Sequence, residues 1–114
     1  MAGLKTIKKN KDFQRIYKKG ISAADQCIVL YVYKKKDKEK RFGFSISKKI
    51  GKAVARNRIK RLFKEVCRKN ISSFPDGLDY LLIARKRVVE ENFHSLSRNI
   101  LHLSQKLSKK VNRQ

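Results

Sequence analysis

The segment from Arg41 to Asn70 constrains the fold more than any other, because it reads as three elements joined end to end. Residues 41–47 read as a strand, residues 48–54 as a basic connection containing Gly51, and about 55–69 as a helix with two unlike faces. Placing successive residues at ~100° around a helix axis puts Asn57, Lys60, Arg61, Lys64 and Arg68 on one stripe. Ala55, Ile59, Leu62, Phe63, Val66 and Cys67 fall on the opposite side, with Arg56 and Arg58 at the two borders. Such a helix must bury one face in a core while the other presents cationic donors to something polyanionic.

The charge balance indicates what meets that second face. Lys and Arg number 31 against nine Asp and Glu, a formal net charge of +22. Self-repulsion on this scale calls for a partner that neutralises it, and nucleic acid is that partner. A membrane surface fits less well, since the cations are spread along the chain and no apolar run approaches the ~20 residues of a span. The 114 residues are enough for a single nucleic-acid-binding domain, 1–114, with one modest core. Cys27 and Cys67 have neither CxxC spacing nor neighbouring histidines and read as reduced core thiols. The first residues carry no apolar signal segment, so a cytoplasmic location is expected.

Outside the central segment, residues 1–9 read as a flexible basic lead-in. Asn10 as a candidate N-cap, Asp12 in the first turn, Lys18 and Lys19 in the last and Gly20 beyond delimit a short helix, with Phe13, Ile16 and Tyr17 on one side. Residues 22–25 read as a turn. Residues 27–33 form the strongest strand, with Ile28, Leu30 and Val32 facing one way and Cys27, Val29, Tyr31 and Tyr33 the other. Both faces are then covered, or one is a binding surface. The charged loop 34–40 joins this strand to 41–47 as a hairpin. Pro75 and Gly77 stop the two-faced helix, residues 78–84 read as a further strand, and Phe93, Leu96, Ile100, Leu103 and Leu107 mark an amphipathic C-terminal helix. The sum is an α+β domain with helices against a small sheet.

For catalysis by the protein itself, the signals are poor. Hydrolysis of phosphodiesters with metals needs converging carboxylates. Here the nine acids are scattered, and Glu90 and Glu91 read as first-turn acids of the last helix. His94 and His102 are separated by ~12 Å along one helix and read as polar-face residues, not an acid–base pair. No catalytic or metal-ligating residue is assigned. The cationic stripe carries more information: arginine forks bond phosphate oxygens in pairs, and Asn57 adds an amide for a sugar, a base edge or a carbonyl. The alternative is a solvated face with Asn57 as N-cap, but Glu65 is the sole acid in the helix. Phe13, Tyr17, Tyr31 and Tyr33 can stack unpaired bases; periodicity alone favours core for them.

Gly43-Phe44-Ser45-Ile46-Ser47-Lys48-Lys49-Ile50-Gly51 followed by Ala53-Val54-Ala55-Arg56-Asn57-Arg58-Ile59-Lys60-Arg61 resembles the signature of the protein subunit of bacterial ribonuclease P. Asp12-Phe13 with Tyr17, and Ile83-Ala84-Arg85, match the family's first helix and last strand, so the likeness covers nearly the whole chain. The resemblance implies an α+β two-layer sandwich, a small mixed sheet with three helices in the order α-β-β-(β)-α-β-α, and a left-handed β-α-β crossover against the usual rule. It implies that catalysis with Mg²⁺ belongs to an RNA subunit required for activity, and that this chain assists endonucleolytic removal of the 5′ leader from precursor tRNA. By position, Arg56, Asn57, Arg58, Lys60, Arg61, Lys64 and Arg68 would bind the RNA subunit, with Lys60 and Arg61 close to the cleavage region. Phe13, Tyr17 and Tyr31 would line a leader groove with Lys48 and Lys49 at its rim. The free protein is expected as a monomer with no DNA or membrane partner. A ribosomal or RNA-assembly protein would share the charge and fold without a leader groove; a protein-only endonuclease is the remaining competitor.

Overall fold

Alternation along one strand sets the two sides of the molecule. The computed structural model describes residues 4–112. Strand β2 (Ile28–Lys34) buries Ile28, Leu30 and Val32 on one face and half-buries Val29, Tyr31 and Tyr33 on the other, as its sequence pattern predicts. It is preceded by α1 (Asn10–Lys19) and β1 (Ile21–Ala24) and followed by β3 (Arg41–Ser45), α2 (Ala53–Lys69), β4 (Leu78–Ala84) and α3 (Phe93–Asn112). Short 3₁₀ turns occupy Lys48–Ile50, Ile71–Ser73 and Lys86–Glu90.

The strands form one mixed sheet in the order β1-β2-β4-β3. β1 and β4 pair antiparallel with β2, placing Ser22 and Leu81 opposite Tyr31, while β3 runs parallel to β4 with Gly43 opposite Leu81. Two expectations fail here. Residues 22–25 are not a turn: Ile21–Ala24 is an edge strand, and Asp25 supplies the turn by accepting hydrogen bonds from the Cys27 and Ile28 amides at 2.7 and 2.9 Å. The small residues of Ile-Ser-Ala-Ala give little strand signal of their own. Nor do β2 and β3 form a hairpin, because β4 lies between them. β4 is buried on both faces over most of its length, the condition of a central strand, whereas adjacency in sequence says nothing of that.

Phe42 fixes the hand of the β3-α2-β4 crossover. Its side chain lies in the core shared with α2, and its N–H and C=O bond to Lys5 O and Ile7 N, on the edge away from β4. For an L-residue in a strand running upward with its side chain toward the viewer, these backbone groups point right. β4 therefore lies to the left while α2 crosses in front, which is the left-handed and rare arrangement. The same hydrogen bonds correct the reading of the lead-in: residues 5–7 run along the outer edge of β3 and Ile7 is buried, while residues 1–3 lie outside the described residues.

α2 and α3 cover one face of the sheet. Ile59, Phe63 and Val66 of α2 and Leu96, Ile100 and Leu103 of α3 meet Ile28, Leu30, Val32, Phe42, Tyr80 and Leu82. Phe42 stacks on Tyr80 at 5.1 Å, Phe74 stands edge-on to both, and the Tyr80 hydroxyl donates to Pro75 O at 2.7 Å. The start of α3 also differs from expectation. Asn92 and Ser95 cap it reciprocally, at 3.0 and 3.1 Å. Glu90 and Glu91 precede the helix, Glu90 beside Arg87 and Glu91 accepting from the Asn99 amide. Asn10, expected as a cap, is the first residue of α1; Lys9 precedes it with no side-chain cap.

Candidate nucleic-acid interface

The first candidate surface is the outward face of α2. The helix begins at Ala53, two residues earlier than read, so Asn57 sits in the second turn, exposed, and is not a cap. Arg58, Lys60, Arg61, Lys64 and Arg68 are exposed with it. Arg56 differs: it is half-buried and its Nε donates to Gly51 O at 3.2 Å, closing the basic connection onto the helix. Gly51 has φ 153°, a conformation other residues rarely adopt, so this connection depends on glycine. Arg58 Nη2 donates to Glu91 O at 3.2 Å, bracing the helix start against the turn before α3. Arg68 donates to both Glu65 oxygens at 2.7 and 2.8 Å, and this hydrogen bonding holds the Glu65 carboxyl below its ordinary range. Glu65 thus engages Arg68 and, at 3.6 Å, Lys69; Lys60, Arg61 and Lys64 make no ion pair among the described residues. Sequence reasoning passed over Val54, which is 81% exposed and falls near the middle of this cationic face.

The second surface lies on the other side of the sheet, where α1 crosses only part of it. Ile16 is buried there with Ile7 and Leu81, while Phe13, Tyr31, Tyr33 and Ile83 are partly covered around them. Phe13 lies on Gly43: a Cβ at Gly43 would stand 2.8 Å from the Phe13 ring, so the absent side chain is what lets the ring down onto β3. Tyr17 meets Tyr31 edge to face at 5.1 Å and stays 39% exposed. Exposure along the α1-facing row of β4 shows where the cover ends, since Asp79 and Leu81 are buried but Ile83 is not. Ile83, Ser45 and Val29, side by side in the register, are only half-buried, a strip of sheet that α1 with Phe13 and Tyr17 leaves partly uncovered and that makes the candidate groove.

Cations gather beyond the C-terminal ends of the parallel strands β3 and β4, the end at which open sheets commonly hold ligands. Lys48 and Lys49 are exposed on their 3₁₀ turn, and Ser47, Lys49, Arg85, Lys86 and Arg87 line one cavity there. Arg85 Nη1 donates to Asp25 O at 2.9 Å, Arg87 reaches the Gln26 side chain, and Lys86 makes no ion pair among the described residues. Arg85, Lys86 and Arg87 were legible as a basic triplet after a strand, but not as neighbours of Lys49.

Several carboxylates are occupied elsewhere. Asp79 and Asp12 pair with Arg41, Asp76 with Lys40 and Glu39 with Lys5, and no three of His, Cys, Asp or Glu converge to hold a metal among the described residues. Cys27 and Cys67 are buried and unpaired, as read. Burial pushes the Cys27 thiol up to about 11 and Cys67 higher still. His94 and His102 are exposed on α3. No described helix is long and apolar enough to cross a membrane.

The family model described as Ribonuclease P matches residues 1–108. The ribonuclease P protein component of Desulforamulus reducens is 44% identical over 104 residues, covering 91% of this chain and 92% of that protein. The solved RNase P protein of Staphylococcus aureus superposes with a TM-score of 0.81 at 39% identity, covering 91% of this chain and 94% of the other. The RNase P protein from Thermotoga maritima gives 0.82 at 29% identity, covering 90% and 96%.

Proposed function

The chain belongs to the ribonuclease P protein family, and on that premise we propose that its two basic surfaces serve two different RNAs. As a member it is a protein component that works with an RNA subunit in endoribonucleolytic tRNA processing. The finer division is our reading. The outward face of α2, with Asn57, Arg58, Lys60, Arg61 and Lys64, binds the RNA subunit; Arg56 shapes the loop that presents it, and Arg68 contributes less because Glu65 already engages it. The half-open groove takes the single-stranded 5′ leader of precursor tRNA, with bases against Phe13, Tyr17 and Tyr31 and the backbone led past Lys48, Lys49, Arg85 and Lys86. Catalysis stays with the RNA subunit and its Mg²⁺, since the described residues do not fit a magnesium site: the carboxylates stand apart, several in ion pairs with Lys or Arg. The reaction takes place in the cytoplasm, and the free protein is a monomer.

The observation that carries this reading is the groove itself. A ribosomal protein of the same charge would have no use for a partly exposed Tyr17–Tyr31 pair beside an uncovered strip of sheet with cations at its end. The test is cleavage of precursor tRNA at low Mg²⁺ by the RNA subunit alone, the protein alone and the two together. Stimulation of the RNA that depends on leader length supports the proposal. Cleavage by the protein alone would refute it, and stimulation indifferent to the leader would return the ribosomal reading.

A further inference from the structure

Arg41, Gly43 and Ser45 form the row of β3 that faces α1, and each meets something different. Ser45 belongs to the open floor, Gly43 receives the Phe13 ring, and Arg41 enters a charged cluster at the opposite end of the sheet from the basic cavity. Its Nε and Nη2 donate to the two oxygens of Asp79 at 3.0 and 2.8 Å, and Asp79 is its direct partner in the β3–β4 register. Asp79 is 2% exposed and also receives Lys35 Nζ at 3.2 Å. The remaining guanidinium nitrogen, Nη1, reaches Asp12 Oδ2 on α1 at 3.4 Å. Hydrogen bonding to Asp79 raises the Arg41 pKa above its already high ordinary value, so the cation is permanent.

We propose that Arg41 is a positioning residue for the leader groove: fixed to the sheet by Asp79, it holds the first turn of α1 in place through Asp12. This rests on the groove reading given above. α1 has ten residues, Ile16 as its one fully buried residue, and no side-chain cap; a helix this short is marginal unless tied down. Its far end is anchored where Gly20 packs against the Val32 carbonyl, with a Cβ position only 2.7 Å from that oxygen. The near end has the Arg41–Asp12 contact, one residue before Phe13. Releasing that contact lets the N-terminal half of α1 lift, which moves Phe13 off Gly43 and leaves the α2 surface, on the other face of the sheet, untouched.

Two variants separate this role from a general loss of stability. Asp12→Asn keeps the Arg41–Asp79 pair and removes the charge on α1, together with the exposed Asp12–Arg15 pair at 3.5 Å within that helix; Arg41→Lys keeps the charge and loses the fork. Each is assembled with the RNA subunit, and equilibrium affinities are measured for precursor tRNA with a leader and for mature tRNA. In both variants the preference for the leader should fall about five- to tenfold, the lower end of what losing one stacked base costs. Affinity for mature tRNA, affinity for the RNA subunit and its salt dependence should stay at wild-type values. Adding Asp12→Asn to Phe13→Leu should cost nothing further, because both act through the same ring. If Asp12→Asn folds and keeps the full leader preference, or weakens leader and mature substrates equally, the positioning role is refuted. If Phe13→Leu alone leaves the preference intact, the groove assignment falls and the positioning role with it.

Discussion

Replacing Gly43 by alanine should leave the free protein nearly as stable as before while stripping it of leader preference. The Cβ would lie 2.8 and 3.2 Å from two Phe13 ring carbons and 3.3 Å from Leu81 Cδ1. Carbon atoms settle at about 3.5–4.0 Å, so the ring must retreat by roughly 1 Å while Leu81, which is buried, gives by a few tenths. Overpacking a closed core costs ~1–3 kcal/mol. Here the cost falls at the low end, because Phe13 is only half-buried and can swing toward solvent. Gly43 is not among the glycines with positive φ, so alanine fits its backbone and gains ~0.4–1 kcal/mol by restricting the unfolded chain. The two nearly cancel, and urea unfolding should show a net change within about 1 kcal/mol. Binding should respond differently, since losing a ring that stacks a base costs ~1–3 kcal/mol, roughly a 5- to 150-fold drop in affinity for precursor tRNA over mature tRNA. A destabilisation beyond ~3 kcal/mol would mean that Phe13 is locked in place as core. Unchanged leader preference in a folded variant would mean that the ring does not touch the leader.

Three further outcomes are expected. Arg61→Ala should reduce the slope of log affinity for the RNA subunit against log salt by about 0.7–0.9, one phosphate contact, whereas Arg56→Ala should act through the Gly51 loop and weaken binding with a smaller change in slope; equal slopes for both would refute the distinction. Lys40→Met should destabilise the protein by ~1–3 kcal/mol in urea, because Lys40 Nζ donates to the Ile71 and Phe74 carbonyls at 2.7 Å each, and although Ile71 O keeps the Phe74 amide at 3.3 Å, Phe74 O would lose its partner; a neutral result would show that water replaces it. Cys27 titrates higher folded than unfolded, so the stability due to its neutral thiol is full below its ordinary value of 9.0 and is lost as pH rises through about 11. Cys27→Ala should therefore flatten the decline in stability over that window, and an unaltered decline would place its origin elsewhere.

Periodicity made the two long helices legible because their stripes are local: Ile59, Phe63 and Val66, and Leu96, Ile100, Leu103 and Leu107, are buried as their spacing predicts. The alternating faces of β2 were legible for the same reason. What failed depends on partners distant in sequence. Ile21–Ala24 becomes a strand only by pairing with β2, and the order β2-β4-β3 is decided by which strand is buried on both faces. The site divides in the same way. The cations of α2 could be read from the helix period, but the meeting of Lys49 with Arg85 and Lys86, and of Asp12 with Arg41, requires the strand order. Asn57 as a cap would need the helix to start at Arg58, whereas it starts at Ala53, and Lys52 and Ala53 carry no capping signal to mark that start.

The hand of the crossover, which no spacing encodes, gives the molecule two separate surfaces. With strands β3 and β4 parallel and adjacent, α2 must lie on one face or the other, and the hand decides which. The right-handed connection would carry α2 over the face that α1 shares, across Ser45 and Ile83, and close the strip of sheet that floors the groove. The left-handed connection puts α2 beside α3, where Phe63 stacks with Phe44 and Ile59 enters the main core, and leaves the opposite face to a helix of ten residues. A helix that short cannot cover four strands. The uncovered sheet, bounded by Tyr17 and Tyr31 and ending in Lys49, Arg85 and Lys86, follows from that choice. So does the separation of the α2 cations from the groove, on which the proposal of two distinct RNA-binding surfaces rests.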